Sequence, residues 1–122
     1  MHRMMMIVVA MAALPAAAWA AGDAEAGKTA FTRRCTVCHS VAEGQNKVGP
    51  SLHGVVGRPS GQVANFNYSP AMKNAGKTWD EATLDTYLTD PKALVPGNRM
   101  ILAGIKDEAE RQNIIAYLAT QK

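Results

Sequence analysis

The pentapeptide Cys35-Thr36-Val37-Cys38-His39 limits what this chain can become more than any other stretch. Two cysteines separated by two residues stand one helical turn apart on one face, and a histidine directly after them reads as a c-type haem attachment site. The spacing has a chemical reason. Each thiol adds across one vinyl group on the same edge of a porphyrin, and the next side chain then reaches over the ring to offer an imidazole nitrogen to iron. The pentapeptide therefore reads as one haem c, covalent through Cys35 and Cys38, with His39 as proximal ligand.

Three plainer readings stay open on the pentapeptide alone. A redox-active dithiol normally sits beside a βαβ pattern, and this chain has no strand-rich run of that kind. Half of a zinc site would need further ligands, yet past the first 20 residues the other nitrogen or sulfur candidates are His53, Met72 and Met100. A structural disulfide across two residues closes a tight, poorly stabilising loop.

Residues 1–20 read as a secretory signal peptide. His2 and Arg3 form a short positive n-region, Met4 to Ala18 an apolar run, and Ala18-Trp19-Ala20 a small-x-small site, with cleavage expected after Ala20. The other reading, an uncleaved anchor, is short of the roughly 20 apolar residues a spanning helix needs. Export would place the protein in the periplasm, an oxidising compartment that tolerates paired cysteines. Five of the seven methionines leave with the leader, so only Met72 and Met100 remain as thioethers.

Residues 21–122 then form one domain of about 100 residues, with a marginal core for its length. Ten glycines and six prolines leave few long apolar runs, and a large buried apolar cofactor would supply core surface that the side chains lack. The net charge of +3, falling to +2 without Arg3, is too mild for a nucleic-acid binder, and no basic helix or aromatic stacking pattern supports one.

The helical pattern is punctuated rather than continuous. Asp23 to Arg34 reads as a first helix, with Asp23 as N-cap and Ala26, Ala30 and Phe31 along its inner side. Residues 40–66 are turn-rich loop, carrying Gly44, Gly49-Pro50, Gly54, Gly57, Pro59 and Gly61. Ser69-Pro70 starts a short helix ending near Asn74-Ala75-Gly76. Thr78-Trp79-Asp80-Glu81 reads as a capping box for a helix whose apolar face is Leu84, Tyr87 and Leu88. Asp90-Pro91 stops that helix and starts a short turn through Leu94. Asp107 and Glu110 cap a last helix with Ile114, Tyr117 and Leu118 inward. The fold class is all-α with long loops.

Iron held on one side by His39 needs its other face filled, opened or blocked. Met100 lies in Pro96-Gly97-Asn98-Arg99-Met100, a loop that can fold its sulfur over a ring. Met72, in a short helix, reads as a core filler, and His53 as a bridge between loop backbones.

Over nearly all of residues 21–122 the chain resembles the class I c-type cytochromes, mitochondrial-like branch, with its bacterial soluble counterparts. The resemblance is carried by Cys35-Thr36-Val37-Cys38-His39, Val48-Gly49-Pro50-Ser51-Leu52-His53-Gly54, Gly57-Arg58, Asn67-Tyr68-Ser69, Thr78-Trp79 and Pro96-Gly97-Asn98-Arg99-Met100 with Ala103-Gly104-Ile105. It implies three main helices, with short helices and long loops, wrapped around one covalently attached haem. It further implies that His39 and Met100 bind iron and that the Pro50 carbonyl orients His39. Arg58, Tyr68 and Trp79 would hold a buried propionate, which is costly unless paired. Tyr87 would sit near the Met100 sulfur, and Gly27 and Phe31 would pack on Tyr117 and Ile114. For Trp79 and Tyr87 the plainer reading is ordinary aromatic core. The chain departs from the family at Asn98 and Arg99, where Thr and Lys are usual; a propionate hydrogen bond from Asn98 stays among the expectations. It departs again at Met72, where the mitochondrial branch has Asn.

Iron with six positions filled has no place for substrate, so the expected function is single-electron transfer between partners rather than oxygen chemistry. By the resemblance, Arg34, Lys47, Lys92, Arg99 and Lys106 fall around an exposed haem edge, while Asp23, Glu25, Asp107, Glu108 and Glu110 lie mostly elsewhere. That dipole suits a monomer docking on acidic surfaces of an oxidase, reductase or reaction centre. The rival readings are peroxidase-like activity if the Met100 loop opens, and a thiol redox protein.

Overall fold

Five helices and the loops between them make up residues 22–122, the part of the chain that the computed structural model describes; the expected signal peptide at 1–20 lies outside the described residues. The first helix, α1, spans Ala24–Arg34 and starts where Asp23 accepts hydrogen bonds from the N–H groups of Glu25 and Ala26. Glu25 in its first turn and Arg33 and Arg34 in its last complement the helix dipole. Helix α2 is the single turn Pro70–Lys73, capped by Ser69 on Met72 N–H. Helix α3 covers Glu81–Thr89 and α4 Pro91–Leu94, with Asp90 closing the first and capping the second through Ala93 N–H. Helix α5 spans Glu108–Ala119 behind the N-cap Asp107. The three long helices and two short ones match the expected all-α class, and the one β-bridge among the described residues joins Pro59 to Thr78.

That bridge corrects the expected capping box. Thr78 is occupied with Pro59, and Asp80 caps α3 instead, its carboxylate accepting from Thr83 N–H at 2.7 Å. The same zipper joins Trp79 N–H to the Arg58 carbonyl (2.9 Å), Gly57 N–H to the Trp79 carbonyl (2.7 Å) and Ser60 N–H to the Lys77 carbonyl (2.8 Å).

Helices α1 and α5 cross at Gly27. A Cβ there would stand 1.8 Å from the Asn113 carbonyl oxygen, so only glycine admits this approach. Beyond the crossing, Phe31 packs on Tyr117 with ring centroids 5.4 Å apart. Gly27, rather than the expected Ala26, faces inward beside Ala30 and Phe31. Helix α5 is buried on more than one stripe, since Arg111, Ile115 and Ala116 join Ile114, Tyr117 and Leu118. Arg111 is tolerated there because its guanidinium reaches Asp85 (2.8 Å) and the carbonyls of Ile105 and Lys106. A core of Phe31, Trp79, Leu84, Tyr87, Leu88, Val95, Ile105, Ile114 and Leu118 lies between this helix pair and α3. Burying each large side chain contributes roughly 1.5–3 kcal/mol.

Candidate haem site

Helix α1 ends by handing its chain to the pentapeptide. Cys35 N–H bonds back to the Phe31 carbonyl at 2.7 Å, and the Cys35 carbonyl then accepts from Cys38 (3.1 Å) and His39 (2.8 Å) N–H groups. This helix-like turn keeps Cys35, Cys38 and His39 along one side, all three lining a cavity of about 400 Å³. Neither cysteine is bonded to the other. Burial pushes the Cys35 thiol up to about 11 despite the opposing influence of Arg34. Among the described residues no three His, Cys, Asp or Glu side chains converge as a metal site.

The loop after the pentapeptide folds back over the imidazole. Gly49 N–H donates to the Cys38 carbonyl at 2.8 Å, and His39 Nδ1 lies 2.8 Å from the Pro50 carbonyl oxygen. That oxygen only accepts, so Nδ1 carries the proton and Nε2 is left with its lone pair. Burial holds the His39 pKa below its ordinary value, outweighing the upward pull of the Pro50 bond, and keeps the ring neutral. Gly49 lies so close that a Cβ would stand 2.2 Å from His39 Cε1. The loop is pinned elsewhere by Leu52 N–H to the Ser40 carbonyl (2.8 Å) and by Ser51 Oγ to the Ala42 carbonyl (2.7 Å). His53 bridges loop backbone, its Nδ1 lying 3.2 Å from the Val41 carbonyl.

Met100 lines the same cavity from the loop after α4. Its sulfur accepts a hydrogen bond from the Tyr87 hydroxyl at 3.9 Å. Burial pushes the Tyr87 phenol up to about 12, so it remains a donor. The Tyr87 ring stacks at a tilt on Trp79, with centroids 4.8 Å apart. Met72 also lines the cavity and packs against the core.

Arg58, Tyr68 and Trp79 all border the cavity. Arg58 donates from Nη1 to the carbonyls of Ser51 (2.9 Å) and His53 (3.1 Å). Burial lowers its pKa, with a smaller opposing influence from Tyr68. Ion pairs among the described residues join Arg33 and Arg34 to Glu110 and Arg111 to Asp85, leaving Arg58 a half-buried cation without a carboxylate. The Tyr68 hydroxyl accepts from Val63 N–H at 3.0 Å and keeps its own proton to give. Asn98 borders the cavity too, but both amide hydrogens go to the carbonyls of Pro91 (3.0 Å) and Val95 (2.8 Å), and none is left for a propionate.

The donor set fits haem c rather than a bare ion. One imidazole, one thioether and two thiols line an apolar cavity, and a guanidinium without a carboxylate among the described residues borders it. Cys35, Cys38, His39 and Met100 would hold such a group, and Arg58 would offset the charge of a haem carboxylate.

Around the mouth, Val48 (73% exposed) and Ile101 (94% exposed) are uncovered apolar residues, with Arg99 exposed beside them. Glu110 does not lie away from the basic residues as expected. It pairs with Arg34 at 2.5 Å and with Arg33 at 2.8 Å, which reduces the charge Arg34 presents. Lys47 Nζ is turned onto the Thr36 carbonyl, and Lys106 Nζ onto that of Thr89 at 2.8 Å.

Comparison with known proteins gives the family and the fold. The family model for cytochrome c matches residues 24–122. A cytochrome c2 from Rhodoplanes tepidamans is 55% identical over 98 residues, covering 80% of this chain and 91% of that protein. Cytochrome c-550 from Nitrobacter winogradskyi is 52% identical over 99 residues, covering 80% and 90%. Among solved structures, cytochrome cH from Methylobacterium extorquens superposes with a TM-score of 0.76 at 46% identity, covering 81% of this chain and 99% of that one.

Proposed function

This chain belongs to the cytochrome c family, and we propose from that premise that His39 and Met100 are its axial iron ligands and that it docks through the cavity mouth. It is an electron carrier with one covalently attached haem c, held through Cys35 and Cys38, and not an enzyme. The bound group supplies a one-electron ferric/ferrous couple. The observation that carries the ligand reading is that His39, whose Nδ1 is taken by Pro50, and Met100 line one apolar cavity together with the two cysteines.

The protein's own residues then have separate tasks. Pro50 fixes the His39 tautomer and makes the ring more basic toward iron. Tyr87 donates to the Met100 sulfur, which withdraws electron density and favours the reduced state. Arg58, with Tyr68 and Trp79 beside it, balances a propionate that would otherwise be a buried unpaired charge. The core residues exclude water, so the couple changes charge in surroundings that need little rearrangement. Neither the family nor the named relatives favour the peroxidase alternative.

Its partners are redox proteins such as reductases or reaction centres. We assign them acidic docking surfaces, because Lys92 and Arg99 are exposed and uncovered Val48 and Ile101 lie at the mouth. A small contact of this kind is charge-steered and short-lived. The mature protein acts as a soluble periplasmic monomer after cleavage behind Ala20. Stopped-flow oxidation of the ferrous holoprotein by an anionic and a cationic small oxidant tests the docking reading. The anionic rate should fall as ionic strength rises while the cationic rate climbs. Equal salt dependence for both would remove the charged docking face.

A further inference from the structure

The loop bearing Met100 gets little help from the side chains beside it. Arg99 is exposed and Ile101 is 94% exposed, so both neighbours of the methionine face solvent. What holds the Met100 backbone is Asn98, itself only 7% exposed. Its Oδ1 accepts the Met100 N–H at 3.0 Å, an Asx turn two residues forward. Its Nδ2 donates to the carbonyls of Pro91 (3.0 Å) and Val95 (2.8 Å), at the beginning and the exit of α4. The partners settle the amide orientation, because two carbonyls need donors and one N–H needs an acceptor.

We propose that Asn98 is a positioning residue: its side chain clasps the Met100 backbone to α4 and so sets how often the methionine sulfur leaves the iron. The proposal rests on Met100 being the iron ligand. No other side chain does all three things at this reach. Aspartate accepts but cannot donate, serine makes a weaker turn and has one hydrogen for two carbonyls, and glutamine is a methylene too long. The carbonyls of Pro91 and Val95 also accept the backbone N–H groups of Val95 and Asn98, so losing the amide loosens α4 without stripping it. Among the described residues Met100 N–H has no partner but Asn98.

A ligand that binds only when the sulfur has left binds more tightly in proportion to the open fraction. Imidazole is such a probe for the ferric holoprotein, read by loss of the far-red sulfur-to-iron charge-transfer band. Asn98→Ala should tighten imidazole binding about 5- to 30-fold, the factor expected for losing hydrogen bonds of this kind. Asn98→Ser should tighten it by a smaller factor, since the hydroxyl restores part of the turn. Ile115→Val, at a buried position of α5 that does not line the cavity, should lower the global unfolding midpoint and leave imidazole affinity unchanged. If Asn98→Ala yields no holoprotein, Asn98→Ser decides on the same readout. Wild-type affinity in the Asn98 variants, or an equal gain in Ile115→Val, overturns the clasp alone. A wild type lacking the sulfur band overturns the ligand reading and the clasp with it.

Discussion

Replacing Gly27 by alanine places a methyl group where the α1–α5 crossing has no room. The new Cβ would stand 1.8 Å from the Asn113 carbonyl oxygen, 2.5 Å from its carbonyl carbon and 2.9 Å from Tyr117 Cβ. Two of these are backbone atoms, which cannot swing aside. Restoring ordinary contact separates the helices by roughly 1.5 Å, enough to forfeit much of the attraction across their interface. The Phe31–Tyr117 pair, at 5.4 Å between centroids, lies on the same seam and loosens with it. Such pairs are worth about 0.5–1.5 kcal/mol beyond their buried area. Overpacking adds about 1–3 kcal/mol, and the better helix propensity of alanine returns about 1 kcal/mol. The net loss is about 0.5–3.5 kcal/mol, and at roughly 4–8 °C per kcal/mol for a domain of this size Tm falls by about 2 °C at the least and by up to about 28 °C. Thermal unfolding of the ferric holoprotein, followed by far-ultraviolet circular dichroism, reads this directly, with exposed Lys28→Ala as the same-helix control. A Gly27→Ala protein melting at or above the wild-type temperature would refute the close crossing.

Tyr87→Phe removes the hydroxyl bond to the Met100 sulfur and keeps the ring contact with Trp79. The reduction potential should fall by about 20–40 mV, taking a weak bond of about 0.5–1 kcal/mol and 59 mV per tenfold for one electron; an unchanged or higher potential in spectroelectrochemical titration would contradict the tuning role. Glu110→Gln tests the pair with Arg34 and Arg33. The bond from Arg34, followed by that from Arg33, holds the Glu110 carboxyl below its ordinary pKa. Its stabilisation is therefore present above the unfolded value of about 4.3 and lost as pH falls. The Tm gap between wild type and Glu110→Gln should be widest near neutrality and close below about pH 4; a gap constant with pH would exclude an ionic origin.

The pentapeptide made the attachment chemistry legible because its spacing is the chemistry. Helix starts were legible at Asp23, Ser69, Asp90 and Asp107 because a cap is a local hydrogen bond between near neighbours. The start of α3 was displaced because Thr78 is taken by Pro59, a partner 19 positions away in sequence that no local pattern reveals. The pairing of Glu110 with Arg33 and Arg34 is hidden from the sequence for the same kind of reason, since it depends on the α1–α5 crossing. Arg111 looks like a solvated residue in sequence and is buried because Asp85 and two carbonyls converge on it. At Asn98 the departure from the family's usual threonine was visible, but its use was not. The amide serves α4 and the Met100 backbone rather than a propionate, which depends on how Pro91 and Val95 are turned.

The most direct test of the His39–Met100 ligation is the absorption spectrum of the ferric holoprotein beside that of Met100→Ala. Wild type should show the far-red thioether-to-iron band, and the variant should lose it and bind added imidazole readily while its haem stays attached under denaturing conditions. A band that survives in Met100→Ala, or that is missing from wild type, would contradict the account.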